Sequence, residues 1–131
     1  MQLCHNVLLE YEHVYQGTSY GTLIQNVESI EKQRKVPLFD VDVQGALKLK
    51  AIYGRSMKTI FIMPPSVEEL RKRLELRGTD SMEKINERVA KAESEMTHKD
   101  EFDCILVNDD LDKAKAEILQ IAKDYLSECN N

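Results

Sequence analysis

The chain has 131 residues, of which 42% are hydrophobic and 31% charged, so it suits one domain with a real core and is not globally disordered. Its formal net charge of −5 argues against a nucleic-acid surface formed by bulk positive charge. Three widely spaced cysteines suggest no metal or disulfide pattern, no apolar run approaches the roughly 18 residues of a membrane span, and MQLCHNVLLE does not resemble a signal peptide. We therefore expect a soluble cytoplasmic protein that binds neither nucleic acid nor membrane.

The first half of the chain alternates strand and helix signals. The predicted elements are a strand over residues 7–15, a helix over 22–34, a strand over 36–43 and a helix over 44–53. Pro37 lies at the start of the second strand, where a missing N–H costs least. Gly54 is a suitable residue to end the second helix.

The second half continues the alternation. The predicted strands are TIFIMPP (59–65) and DCILVN (103–108). One helix opens at Ser66, with Glu69 as its capping-box partner, and runs to Gly78; the next opens at Asp80, with Glu83 as its partner. A last helix begins among the acids at 109–112. The apolar stripes predicted for the last two helices are Ile85, Val89, Ala92 and Met96, and Leu111, Ala114, Ile118, Ile121 and Tyr125.

Apolar strands separated by amphipathic helices are typical of one fold class. Parallel strands need crossover connections, and helices supply them while covering the faces of the sheet. The pattern therefore predicts an α/β protein with a parallel sheet covered on both faces.

Two aspartates, Asp40 and Asp42, interrupt the strand LFDVDVQG (38–45) and share one face of it. In parallel α/β sheets, ligands gather beyond the carboxyl ends of strands. Acids there can hold the water shell of Mg²⁺, accept hydrogen bonds from a base or sugar, or act as a general base. The alternative is a strand end in solvent, with Asp42 capping the following helix. The spacing alone leaves both interpretations open.

A set of arginines surrounds the turn RGTD at 77–80. They are Arg71, Arg73, Arg77 and Arg88. Arginine forks match phosphate oxygens bidentately, and several on a mobile segment would suit a lid that closes over a polyphosphate. The simpler interpretation is a solvated helix, in which Glu68, Glu69 and Glu75 pair with these arginines.

Weaker signals come from Glu10, from Tyr20–Thr22 and from Asn108–Asp110. A glutamate can accept hydrogen bonds from N1–H and the exocyclic amine of guanine, and tyrosine or threonine hydroxyls can bind phosphate or O6. Surface residues on a hairpin, or a strand-to-helix turn, would look the same. The three histidines have no metal-ligand spacing.

In chain order, seven short strings resemble those of guanylate kinases, over a match from about Leu9 to Leu126. They are EYEHVY (10–15), YGT (20–22), LFDVDVQG (38–45), IMPPS (62–66), RLELRGTD (73–80), INER (85–88) and VNDDL (107–111). Any one alone is weak, but seven in order at compatible spacing are highly specific. The resemblance implies a P-loop nucleoside monophosphate kinase-like parallel sheet flanked by helices, and transfer of the γ-phosphoryl group of Mg-ATP to GMP.

The resemblance also implies roles for residues of the first half. Glu10 and Asp42 would accept hydrogen bonds from guanine, with Thr22 near its O6 and Tyr20 at the GMP phosphate. Asp40 would lie near the Mg²⁺ ion and the phosphates, holding the metal through water.

In the second half the implied roles concern ATP. Arg73 and Arg77 would belong to the lid that closes over ATP, and Arg88 would reach the transferring phosphoryl group. Asn108 would lie beside the adenine. Such a site fits phosphoryl transfer, which needs positioning and charge neutralisation more than covalent chemistry.

One departure from the family is clear, because these 131 residues contain no G-x-x-x-x-G-K-[ST] phosphate loop. The resemblance therefore implies a single partial domain over 1–131: about 7–34 as a remnant of the GMP-binding subdomain, 35–66 and 100–131 as core, and about 67–99 as lid and adjoining helices. In the family the phosphate-loop strand lies between the strands equivalent to LFDVDV and TIFIMP. Here we expect these two strands to close up, or another chain, through strand exchange or a homo-oligomer, to fill the gap.

Three functional hypotheses follow. The first is a partial guanylate kinase that is inactive or very weak alone, since the loop supplies much of the grip on ATP phosphates. The alternative is a non-catalytic guanylate-kinase-like module that binds a protein in the former GMP cleft. The persistence of the GMP-site and lid residues counts against that alternative. The third is a protein that holds GMP without catalysis.

Overall fold

The computed structural model describes residues 8–13 and 20–129. Its helices and strands are β1 Leu8–His13, α1 Tyr20–Lys32, β2 Lys35–Asp40, α2 Val43–Tyr53, β3 Ile60–Met63, α3 Val67–Arg77, α4 Met82–Met96, β4 Cys104–Val107 and α5 Leu111–Cys129. Short 3₁₀ turns follow α2 and α4. Within this described part, no helix is both long and apolar enough to cross a bilayer.

The strands pair in parallel, two by two. β1 lies beside β2, with Leu8 opposite Lys35, and β3 lies beside β4, with Ile60 opposite Cys104. Parallel neighbours require a crossover of a dozen or more residues. Helix α1 is the crossover of the first pair, and helices α3 and α4 form that of the second. The predicted α/β class with parallel strands and flanking helices is confirmed.

The chain divides into two compact units. Unit 1 consists of residues 1–45 and 119–131, and unit 2 of residues 46–118. Each described sheet has two strands, β1–β2 in unit 1 and β3–β4 in unit 2. The strands predicted over 36–43 and 59–65 lie in different units, and their closing up on each other stays a prediction. The other alternative, a strand supplied by another chain, stays a prediction.

In unit 1, β2 is shorter than predicted and α2 begins earlier. The strand ends at Asp40 instead of Val43, and Val43 is the first residue of α2. The reason is local: the Asp42 carboxylate accepts a hydrogen bond from the backbone N–H of Gly45, at 2.8 Å between Oδ1 and N. This is the N-cap arrangement, which satisfies an otherwise unpaired N–H of the first helical turn. The capping role considered for Asp42 is thus confirmed.

In unit 2, helices α3 and α4 pack together as a hairpin. Its core consists of buried Leu74, Ile85 and Val89, with Val67 and Leu70 packed against them. The predicted stripe of α4 is therefore buried at its first two positions.

The ends of α3 match the prediction in position. The Ser66 hydroxyl accepts from the backbone N–H of Glu69 at 3.1 Å, and Gly78 ends the helix with a left-handed φ of 67°. Glycine adopts that φ without steric cost. The reciprocal half of the capping box differs, because the Glu69 carboxylate accepts from Arg73 Nε at 3.2 Å.

Helix α4 begins one residue later than predicted. Its N-cap is Ser81, whose hydroxyl accepts from the backbone N–H of Lys84 at 3.3 Å. Asp80 is not the cap, because its carboxylate is turned toward two arginines, described below. In α5, Ala114 is buried but Leu111, the first helical residue, is 59% exposed, so the predicted apolar stripe does not include it.

A polar network joins the residues that precede β3 and β4. One oxygen of Asp103 accepts hydrogen bonds from the N–H of Thr59 at 2.8 Å, from its hydroxyl at 3.1 Å and from Lys50 Nζ at 2.8 Å. The N–H of Asp103 in turn donates to the Thr59 hydroxyl at 3.0 Å. Lys50 also donates to the carbonyl of Met57 at 2.9 Å. Thr59 is 5% exposed, so these bonds satisfy polar groups that lie away from water.

This network changes the acidity of Asp103. Burial alone raises the pKa of its carboxyl, but the hydrogen bonds from Lys50 and Thr59, with the positive charge of Lys50, outweigh burial and hold the pKa below 3.8. The charged form is therefore favoured in the folded chain.

We expect Asp103→Asn to lower the free energy of unfolding at neutral pH by about 1–2 kcal/mol, because a charge-assisted acceptor at a half-exposed site is lost. The folded-state pKa lies below the unfolded value, so the contribution of Asp103 is fully present above pH 3.8 and is lost as the pH falls through the lowered pKa. Urea unfolding over a pH series should show the gap between wild type and variant narrowing below that pH. The exposed Asp100→Asn variant is the charge-matched control, and a gap that does not change with pH would contradict the assignment.

We expect Asp42→Ala to destabilise the chain by about 1 kcal/mol and Asp42→Asn by only a few tenths, because asparagine is as good an N-cap as aspartate. Urea unfolding of the three proteins measures both effects. Equal losses for Ala and Asn would mean that the charge of Asp42, and not its capping hydrogen bond, stabilises the helix.

Candidate functional site

The predicted guanine and phosphate residues of the first half all lie in unit 1. Glu10 is in β1, opposite Pro37 of β2, and Tyr20 and Thr22 are in the first turn of α1. The side chains of these three residues lie outside what the structure describes, so their predicted contacts stay predictions.

Asp40 and Asp42 occupy different settings. Asp40 is the exposed last residue of β2, at the carboxyl end of a parallel strand. Asp42 lies two residues beyond the strand, so the two carboxylates do not share a strand face and that prediction is wrong. The capping bond uses one oxygen of Asp42, and a carboxylate has a second oxygen with its own lone pairs. Capping and ligand binding are therefore compatible roles.

Gly45 holds the backbone close to this carboxylate. A Cβ atom added there would lie 3.0 Å from Oδ1 of Asp42, which is tighter than nine in ten real Cβ contacts. The absence of a side chain at this position thus leaves the Asp42 carboxylate uncrowded.

The magnesium role of Asp40 stays a prediction. Among the side chains that the structure describes, no group of three or more His, Cys, Asp or Glu could hold a metal. Mg²⁺ keeps several waters and is usually bound through one or two carboxylates together with substrate phosphates. Exposed Asp40, at the end of β2, suits that kind of site.

In unit 2, two of the predicted catalytic arginines meet at one carboxylate. Arg77 Nη2 lies 3.0 Å and Arg88 Nε 3.1 Å from the same oxygen, Oδ2 of Asp80. The side chain of Asp80 is 14% exposed, whereas those of Arg77 and Arg88 are 52% and 51% exposed. The carboxylate therefore lies beneath two guanidinium groups that face solvent, and the three side chains carry a net charge of about +1 at neutral pH.

Arg73, the third predicted catalytic arginine, is in a different place. Its guanidinium donates to the carbonyl of Asn108 at 2.8 Å and to that of Asp109 at 3.3 Å, and it pairs with Glu69. It thereby links α3 to the turn between β4 and α5. The N–H of Asn108 donates to the carbonyl of Met63 at 2.8 Å, so the backbone of the predicted adenine-site residue is held on two sides.

The predicted cluster of arginines is thus divided among separate partners. Arg71 donates to the side-chain oxygen of Asn86 at 2.9 Å, across the α3–α4 hairpin. The predicted pairing of these arginines with glutamates holds for Arg73 with Glu69. Sequence reasoning missed the partner Asp80, which it had assigned to helix capping. The signal that could have identified it is its position three residues after Arg77.

Comparison with known proteins gives a consistent result. A family model described as guanylate kinase matches residues 2–125. A guanylate kinase of Bacteroides thetaiotaomicron is 51% identical over 124 residues, which cover 94% of this chain and 60% of that protein. A guanylate kinase of Porphyromonas gingivalis is 55% identical over 106 residues, covering 81% of this chain and 56% of that protein.

The fold comparison agrees with the sequence comparison. A crystal structure of guanylate kinase from Anaplasma phagocytophilum superposes with a TM-score of 0.60, at 22% identity, and the match covers 95% of this chain and 79% of that one. At this identity the similarity shows the fold alone. The chain spans about 60% of the length of the Bacteroides thetaiotaomicron relative. From the family match and these relatives, the chain belongs to the guanylate kinase family.

Proposed function

We propose that this chain forms the nucleotide-binding part of an enzyme that transfers the γ-phosphoryl group of ATP to GMP, giving ADP and GDP. The observation that best supports this proposal is the meeting of Arg77 and Arg88 at one carboxylate oxygen, with both guanidinium groups half-exposed. Phosphoryl transfer requires concentrated positive charge around a group whose oxygens carry negative charge in the transition state. Two neighbouring arginines on one hairpin provide such charge.

The proposed roles on the ATP side follow from these positions. Arg77 and Arg88 would bind oxygens of the polyphosphate and of the transferring group, which arginine forks match bidentately. Asn108 would lie beside the adenine. Arg73 would act with the lid, and through its two carbonyl contacts it would also fix the turn that carries Asn108.

The proposed roles on the GMP side belong to unit 1. Glu10 and Asp42 would accept hydrogen bonds from guanine, with Thr22 near O6 and Tyr20 at the phosphate. Asp40 would hold Mg²⁺ through its water shell. The ion, when bound with ATP, neutralises charge on the phosphate oxygens.

We further propose that these 131 residues, tested by themselves, are a very weak kinase. They contain no G-x-x-x-x-G-K-[ST] loop, whose backbone N–H groups and lysine would otherwise surround the ATP phosphates. Supply of that loop by another polypeptide, as a heteromer or through strand exchange, would restore turnover.

Calorimetric titration of the purified chain with GMP, IMP and ATP, followed by an assay of ADP formation with GMP and ATP present, tests the proposal. We expect GMP to bind more tightly than IMP, which lacks the exocyclic amine, and turnover to be very low. Glu10→Gln should reduce the preference for GMP over IMP by about tenfold, because a charged acceptor is lost. Binding of neither GMP nor ATP would favour a protein-binding module, and rapid turnover would contradict the proposed need for the loop.

We expect Arg73→Lys to cost about 1–2 kcal/mol of unfolding free energy and to weaken ATP binding more than GMP binding. The compact ammonium group of lysine cannot reproduce the fork that reaches two carbonyls and a carboxylate. Urea unfolding and calorimetry measure the two effects. Lys72→Ala, an exposed neighbour on the same helix, is the control and should change stability by less than about 0.5 kcal/mol. Equal weakening of both nucleotides would contradict a role for Arg73 at the turn carrying Asn108.

A further inference from the structure

The α3–α4 hairpin joins two cations through a single anion. Arg77 Nη2 and Arg88 Nε are both within about 3 Å of Oδ2 of Asp80, so the two nitrogens are no more than about 6 Å apart. Without an anion between them, two guanidinium groups this close would repel each other. The Asp80 carboxylate between them offsets that repulsion.

The arrangement is built from fixed positions on the hairpin. Asp80 lies between Gly78, which ends α3 in a left-handed conformation, and Ser81, which caps α4. Asp80 thus lies in the short connection between the C-cap of α3 and the N-cap of α4. The Asp80 side chain is 14% exposed, and a carboxylate this far from solvent pairs with its cations more strongly than a surface acid does.

The contacts of Asp80 leave room for a second anion. Each arginine approaches Asp80 through one nitrogen, whereas a guanidinium group has five N–H donors. Both guanidinium groups are about half-exposed, so their solvent-facing sides are accessible to a ligand. A phosphoryl group has three oxygens and a higher charge than a carboxylate, and it can bridge two donors at this separation.

We propose that Asp80 is a built-in competing counter-ion: it occupies the position between Arg77 and Arg88, and a phosphoryl group that bridges the two guanidinium groups competes with it for that position. The inference rests on the proposed function of the two arginines. Asp80 is then a positioning residue that sets which anions can bind. A singly charged anion gains too little from the arginines to displace the carboxylate, whereas a polyphosphate gains enough.

A purely structural role for Asp80 predicts different behaviour. If Asp80 only ties the end of α3 to α4, its removal lowers stability and leaves anion affinity unchanged. The hairpin has other contacts that do not involve Asp80, namely its core of Leu74, Ile85 and Val89 and the hydrogen bond from Arg71 to Asn86. A neutral substitution at Asp80 should therefore leave the hairpin folded.

The test is calorimetric titration of the full chain with inorganic tripolyphosphate at low ionic strength. Asp80→Asn keeps the size and hydrogen-bonding oxygen of the side chain and removes its charge. We expect the dissociation constant to fall about fivefold relative to wild type, as loss of a competing ion pair of ordinary strength predicts. Asp100→Asn removes the same charge from an exposed site of unit 2 and should change the constant by less than about twofold.

A second readout localises the effect. The Nε–H resonance of Arg88, which reports directly on the contact with Asp80, should shift on addition of tripolyphosphate to wild type, and at lower concentration in Asp80→Asn. Thermal unfolding checks that Asp80→Asn is folded. If it is not, Asp80→Ser is used in its place.

The possible results separate the competing role of Asp80 from the phosphate-binding role of the two arginines. Unchanged or weaker binding in Asp80→Asn, or an equal gain in Asp100→Asn, would overturn the competing role while leaving the arginines as phosphate ligands. If tripolyphosphate binds neither protein, or binds without moving the Arg88 resonance, both this inference and the proposed role of Arg77 and Arg88 are wrong.

Discussion

The alignment of β3 with β4 depends on the Asp103 carboxylate, which lies one residue before β4 and binds Thr59, one residue before β3. In a parallel pair a slip of one residue would turn every side chain to the opposite face, so the first contact fixes all that follow. With this register Met63 lies opposite Val107, and the next N–H, that of Asn108, donates to the Met63 carbonyl. Asn108 is thus positioned by a hydrogen-bond network at the other end of the strands. Lys50 connects the same network to α2.

In the helical part of unit 2, the apolar core and the charged side chains occupy different places. The α3–α4 hairpin is held by an apolar core, and its arginines are not part of that core. Arg71 contacts Asn86, Arg73 contacts the turn after β4, and Arg77 contacts Asp80. The apolar core does not involve these arginines, so a change in their contacts leaves it in place.

Local signals predicted much of this from the sequence. Ser66 and Gly78 marked the ends of α3 because capping and left-handed C-caps depend on neighbouring residues alone. Errors arose where a side chain had more than one possible role. Asp80 binds arginines, and Ser81 caps α4 in its place. Asp42 caps α2, so β2 ends earlier than predicted. The Asp103 network was invisible, since Thr59 is 44 and Lys50 53 residues away along the chain. Local periodicity carries no information about contacts between residues so far apart along the chain. The family itself came from seven ordered strings, not from any one constellation, and the roles implied for Glu10, Tyr20 and Thr22 stay predictions.

Gly45 is a position where helix propensity favours alanine but the neighbouring Asp42 carboxylate favours glycine. Alanine is favoured over glycine inside a helix by about 1 kcal/mol, so Gly45→Ala would ordinarily count as a stabilising change. Here the added carbon would press on the carboxylate of Asp42 from 3.0 Å. The carboxylate would have to move by a few tenths of an ångström, and it is the group that we propose accepts hydrogen bonds from guanine. A search for thermostable variants scored on melting temperature alone would therefore treat this glycine as a defect to repair, although its missing side chain keeps an acidic group in place.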